Sequence, residues 1–232
     1  MDTSLRRIIA YIIDIAIVTI LVTFISQIKI INPYLDDYNK TYEEYNELVE
    51  DMENEEISKD DYQDKLIELN YELGKTNVAN GIITIFSLIL YFGVLQMVMQ
   101  GQTVGKRIMR VKLTHKNDGK KLNIGNYLIR TVILNNIIFR ILIIIGVFFL
   151  SKNAFYQYTS TISFCESIVE SVILIMVVLK SDNRGLHDII AGTKVVSLNP
   201  VSDEDFIVKK SEVIDVEVVE KKKTKGTSKK KK

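Results

Sequence analysis

Asp14 is a carboxylate inside an apolar run that extends from Ile8 to about Ile28. As a helix, that run can cross a hydrocarbon core of roughly 30 Å and places Asp14 about 10 Å beyond Arg7. A carboxylate at such depth costs about 2.5–3.5 kcal/mol on insertion scales, so something must offset it. Arg7, two helical turns earlier, points along the same face, with Tyr11 beside it. Ala10 is small enough to admit a neighbouring helix. Two chemistries fit Asp14. It is either a polar lock hydrogen-bonded inside a helix bundle, or a group that binds a cation or a proton.

A second constellation lies later in the chain. Arg140 falls inside an apolar block, ten residues from both Arg130 and Leu150, too deep to reach either membrane surface easily. Ser163, Glu166, Ser167, Glu170 and Ser171 form a polar stripe at helical spacing in the next apolar block. Glu170 is expected at the depth of Arg140 and to pair with it, with Glu166 as a second partner. Such a pair either fixes helix order or lines a wet path of titrating carboxylates.

Other motifs carry less. Gly101, Thr103, Gly105 and Lys106 suggest a phosphate loop, but only three residues separate the glycines and Arg107 follows the lysine, so the nucleotide-binding pattern fails. His187 beside Asp188 suggests proton handling, although a turn at the membrane surface explains the pair equally simply. Cys165 is the sole cysteine, which excludes an intrachain disulfide and a cysteine-based metal site. His115 and His187 are far apart in sequence. No nucleophile–base set is visible, so no enzyme, cofactor or metal is expected.

The elements that must position these groups follow from the hydropathy. Apolar residues concentrate in four blocks, about residues 8–28, 78–99, 127–150 and 162–179, each near spanning length. Two arginines followed by an apolar stretch resemble a signal peptide, but no small-x-small site follows before Lys29, so the first block reads as an uncleaved span. Lys and Arg crowd the loop between blocks two and three and the segment after block four, whereas Lys152 is alone between blocks three and four. The positive-inside rule then places both termini and the middle loop in the cytoplasm. The predicted fold is an all-α membrane protein, a four-transmembrane-helix bundle with both termini cytoplasmic.

Residues 29–77 form a strongly acidic insertion. Leu35, Tyr38, Tyr42, Tyr45 and Val49 recur at helical spacing, and Ser58 with Asp61 marks the start of a second helix. An extracytoplasmic helical hairpin is expected, its charge either a solvated surface or a field that gathers cations. Alternation on both sides of Asp118-Gly119 predicts a small cytoplasmic β-ribbon between residues 111 and 122. Residues 200–232 read as a charged, Lys-rich cytoplasmic tail, disordered and able to touch anionic lipid. No stacking aromatics accompany it, so nucleic acid is not an expected partner.

Taken together, residues 5–197 resemble the RDD family of bacterial membrane proteins, named for one arginine and two aspartates. Arg7, Asp14 and Asp188 match those three positions. The stretch Gly101-Gln102-Thr103-Val104-Gly105-Lys106 is similar to the family's Gly-x-Thr-x-Gly-Lys motif. The resemblance implies an RDD-like membrane domain over residues 1–199, and it covers neither the acidic insertion 29–77 within that domain nor the lysine tail 200–232, which look like additions. The resemblance implies a polytopic protein of the plasma membrane, with ion transport proposed for some members. If both ends of the bundle's motif are cytoplasmic, Arg7 is expected to bridge Asp188 and Asp14. Two functions remain open. One is a small cation/proton transporter that uses Asp14, Arg140, Glu166 and Glu170, and four helices would then favour a homo-oligomer. The other is a non-transporting scaffold that binds a partner protein or anionic lipid.

Overall fold

The computed structural model describes residues 3–180, 182 and 184–198, and the Lys-rich tail lies outside them. The described residues up to Val196 form one compact unit. Helix α1 spans Thr3–Ser26 and buries Ser4, Arg7, Ala10, Asp14 and Val18, spaced three or four apart. Its other faces expose Ile12, Ile20 and Phe24, as a helix solvated by lipid requires.

The acidic insertion folds as α2 (Leu35–Glu53) and α3 (Lys59–Thr76), which pack on each other. Ser58 caps α3 by accepting from the Asp61 N–H at 3.2 Å. From Asn77 the chain enters α4 (Val78–Leu88), widens into a π-helical segment at Ile89–Leu95 and ends in α5 (Gln96–Val98). Tyr91 and Phe92, both in that wide turn, join Val18, Leu88 and Ile137 in an apolar core.

The second half places α6 (Val104–Ile108) and β1 (Val111–His115) before α7 (Ile124–Leu134) and α8 (Ile137–Phe149). Long α9 (Lys152–Leu179), short α10 (Leu186–Ile190) and β2 (Thr193–Ser197) follow. Among the described residues, three helices are long and apolar enough to cross a membrane: Thr3–Ser26, Val78–Val98 and Lys152–Leu179. A fourth span results if α7 and α8 are taken together.

Three expectations change. The block at 127–150 is not one straight helix. It breaks at Asn135–Asn136 with a 63° bend, and Asn136 is left-handed at φ 53°. Asparagine visits that region more readily than other non-glycine residues. The fourth span starts at Lys152 rather than near Ile162, because its first turns pack on α3. Phe155 lies under Gly74, and Lys152 pairs with Glu68 at 2.5 Å. The β-ribbon is not local to 111–122. β1 pairs with β2, with the Lys116 N–H donating to Gly192 O and Thr114 Oγ1 to Lys194 O. Residues 120–123 instead lead into α7, where Asn123 and Asn126 cap each other reciprocally. Val111, Leu113 and Val195 then bury their side chains with Ala10 and Tyr127.

Candidate functional site

Two buried carboxylates organise one end of the bundle. Asp14 is fully buried on α1. Its Oδ1 accepts from Tyr91 Oη at 2.7 Å and from the Gly105 N–H at 2.7 Å. Its Oδ2 accepts from Thr103 Oγ1 at 2.5 Å. Three donors from two other segments therefore offset the cost of burying this charge.

The glycine-rich motif is built around that contact. Gly101 takes φ +94°, and a Cβ there would lie 2.4 Å from Leu113 O. Thr103 caps α6, its hydroxyl accepting from the Lys106 N–H at 3.4 Å while donating to Asp14. Gly105 lies against α1 so closely that a Cβ would stand 2.2 Å from Ala10 O. The motif that fails as a nucleotide loop is thus the part of the chain that closes over Asp14.

Asp188, also fully buried, sits on α10. Arg7 Nη2 pairs with its Oδ2. Arg130 Nε donates to its Oδ1 at 3.0 Å, and Thr193 Oγ1 donates to the same oxygen at 3.0 Å. Burial alone would raise the Asp188 carboxyl, but the Arg130 guanidinium first, and Arg7 after it, hold it well below the usual carboxylate range. His187 is buried rather than set in a surface turn, with Nε2 3.3 Å from Asp188 Oδ2 and neither ring nitrogen in a hydrogen bond. Burial pushes its imidazole down to about 4 against the pull of Asp188, so it is neutral near pH 7.

Between these two knots lies a chamber of about 350 Å³. Its lining combines the polar residues Arg7, Tyr11, Asp14, Lys106, Arg130, Glu170 and His187 with the apolar residues Ile8, Leu134, Ile173, Leu174, Val177 and Val195. Lys106 Nζ is buried and makes no hydrogen bond among the described residues. Burial, followed by the nearby Arg130 guanidinium, holds its ammonium well below the ordinary lysine range.

The arrangement redistributes the residues singled out from sequence. Arg7, Asp14, Asp188, Thr103, Gly105 and Lys106 converge, with Gly101 shaping the turn behind them. Arg7 holds Asp188 as expected, while the polar atoms around Asp14 come from Tyr91, Thr103 and Gly105. Arg140 and Glu170 do not form an ion pair. Glu170 Oε1 accepts from Asn136 Nδ2 at 2.9 Å. Arg140 lines a separate groove of about 390 Å³ with Thr19 and Thr23 of α1 and Asn80 and Thr84 of α4. The chain bends by 63° between α7 and α8, and at that break Asn136, not Arg140, meets Glu170. Glu166 is half-buried and, like Arg140, makes no ion pair among the described residues.

Two partners escaped sequence reasoning. Arg130 lies amid apolar residues of α7, and that position is its one signal, although in sequence it stands near the edge of a span. Tyr91 lies within the second apolar block with no sequence signal of its own, and in the π-helical segment its hydroxyl reaches Asp14. A sequence model described as the RDD family matches residues 3–192. No curated protein and no solved structure matches the chain.

Proposed function

The chain belongs to the RDD family, and from that premise we propose that this membrane protein is a non-transporting scaffold whose signature charges clamp a ligand chamber. The observation that carries this reading is the saturation of both signature aspartates. Asp14 accepts three hydrogen bonds and Asp188 is held by two arginines and Thr193. A carrier carboxylate must exchange its ligands during each cycle, and these two are committed to neighbouring segments. Breaking either set would cost several kcal/mol (on the order of 3–5 for a buried pair).

One observation favours transport. The chamber and the Arg140 groove lie on one continuous stripe of α1, through residues 7, 8, 11 and 14 and then 15, 18, 19, 22 and 26. Glu170 lines the chamber, and among the described residues its Oε2 is outside any hydrogen bond. In that reading Glu170, not Asp14, is the exchanging group, and a homo-oligomer would supply further helices. Proteoliposomes decide between the two. The scaffold reading expects no Na⁺-, K⁺- or Li⁺-driven proton flux from the wild type. Wild-type flux that disappears in a folded Glu170→Gln protein replaces the scaffold with a carrier.

In the proposed topology the protein lies in the plasma membrane with α6, the β1–β2 ribbon and both termini cytoplasmic, and with α2 and α3 outside. Lys106, Arg107, Arg110, Lys112 and Lys116 between spans support this orientation. In a Cys165→Ser background, an impermeant maleimide applied to intact cells is expected to label Glu55→Cys and spare Asn117→Cys. The reverse pattern inverts the topology. The same orientation would hold the Lys-rich tail against anionic lipid of the inner leaflet.

A further inference from the structure

The chamber holds more hydrogen-bond donors than acceptors to receive them. Lys106 Nζ is 7% exposed by residue and has no hydrogen-bond partner among the described residues. Arg130 is also a buried residue; it donates to Asp188 through Nε, and among the described residues no hydrogen bond is made by its two Nη groups. Both residues line the chamber. On the acceptor side, Asp14 and Asp188 are committed, and Glu170 is an exposed residue tied by one oxygen to Asn136. A buried donor without an acceptor, as at Lys106 Nζ, is costly, and the cost is removed by a ligand rich in anionic oxygens.

We propose that the chamber takes a phosphate group, held by Lys106 Nζ and the Nη donors of Arg130. The assignment rests on the scaffold reading of the chamber and names its ligand chemistry. A guanidinium fork suits two oxygens of one phosphate, while an ammonium supplies a point charge to a third. The remaining wall accounts for what the phosphate could be attached to. Ile8, Ile173, Leu174 and Val177 are apolar, and Leu174 is 54% exposed on a spanning helix. That surface accepts a phosphodiester with acyl chains, and the polar end alone accepts free phosphate. Arg7 is excluded from the anchor set because Asp188 already occupies it.

The test uses the full chain, purified in detergent and stripped of lipid. Inorganic phosphate, phosphatidylglycerol and diacylglycerol are the probes, read by native mass spectrometry and by thermal unfolding. A lipid ligand is indicated if phosphatidylglycerol binds one to one, diacylglycerol does not, and inorganic phosphate competes poorly. A free-phosphate ligand is indicated if inorganic phosphate raises the unfolding temperature and phosphatidylglycerol adds nothing. In either case Lys106→Met is expected to weaken binding by at least about tenfold, and Lys106→Arg to retain it. Without ligand, Lys106→Met is expected to unfold at the wild-type temperature or above, because it removes a buried nitrogen that makes no hydrogen bond among the described residues. Equal binding to wild type and Lys106→Met overturns the proposal. So does a cooperatively unfolding wild type that binds neither phosphate probe, a result that needs no variant to fold. Proton flux in the wild type would instead overturn the scaffold reading itself.

Discussion

Asp14 and Gly105 show how closely one residue's chemistry depends on another's absence of a side chain. The Gly105 N–H reaches Asp14 only because no Cβ separates α6 from Ala10 O. Gly105→Ala is therefore expected to cost about 2–3 kcal/mol, from overpacking and a strained buried acceptor, read as a lowered unfolding temperature in detergent. Unchanged unfolding would mean that α6 can move away freely. His187 provides a pH signature. Its folded value of about 4 lies below the ordinary 6.5. Between those values the unfolded chain binds more protons than the folded one, so stability is expected to fall as pH drops from about 6.5 to about 4. The loss is on the order of 3 kcal/mol over that window. Comparison of wild type with His187→Gln across that range tests it, since the variant should lose most of the slope.

Among the elements, the break between α7 and α8 has the largest consequence. It separates Arg140 from Glu170 and hands Glu170 to Asn136. Asn136→Ala is expected to destabilise by about 1–2 kcal/mol through its left-handed backbone, with a further loss from the missing bond to Glu170. Asn136→Gly should recover the backbone part alone. If thermal unfolding gives equal losses for the two variants, the backbone contribution is negligible and the hydrogen bond carries the effect. The π-helical segment works in the same way, since its wide turn brings Tyr91 onto Asp14 from α4.

Over the whole molecule, the Arg7–Asp188 contact joins α1 to α10 across 181 residues of sequence. Ser4 adds a second tie, donating to Val177 O at 3.1 Å. Arg7→Ala should cost nearer about 3 than 5 kcal/mol, because Arg130 remains on Asp188. Limited proteolysis is expected to cut the α10–β2 region faster in the variant. Wild-type resistance to proteolysis would show that the clamp does not hold this end of the chain.

The apolar blocks, the helical hairpin with its Ser58 cap, and the family motif were all legible in sequence. Each depends on local spacing and on the simple preference of apolar residues for lipid. Tertiary structure decided which donors satisfy Asp14 and Asp188, where β1 finds its partner, and where the third block bends. These outcomes depend on contacts between residues far apart in the chain. Tyr91 lies 77 residues from Asp14 and Arg130 lies 58 from Asp188. Composition could reveal that buried carboxylates needed partners, but only packing could choose those partners and leave Lys106 Nζ without a hydrogen bond among the described residues.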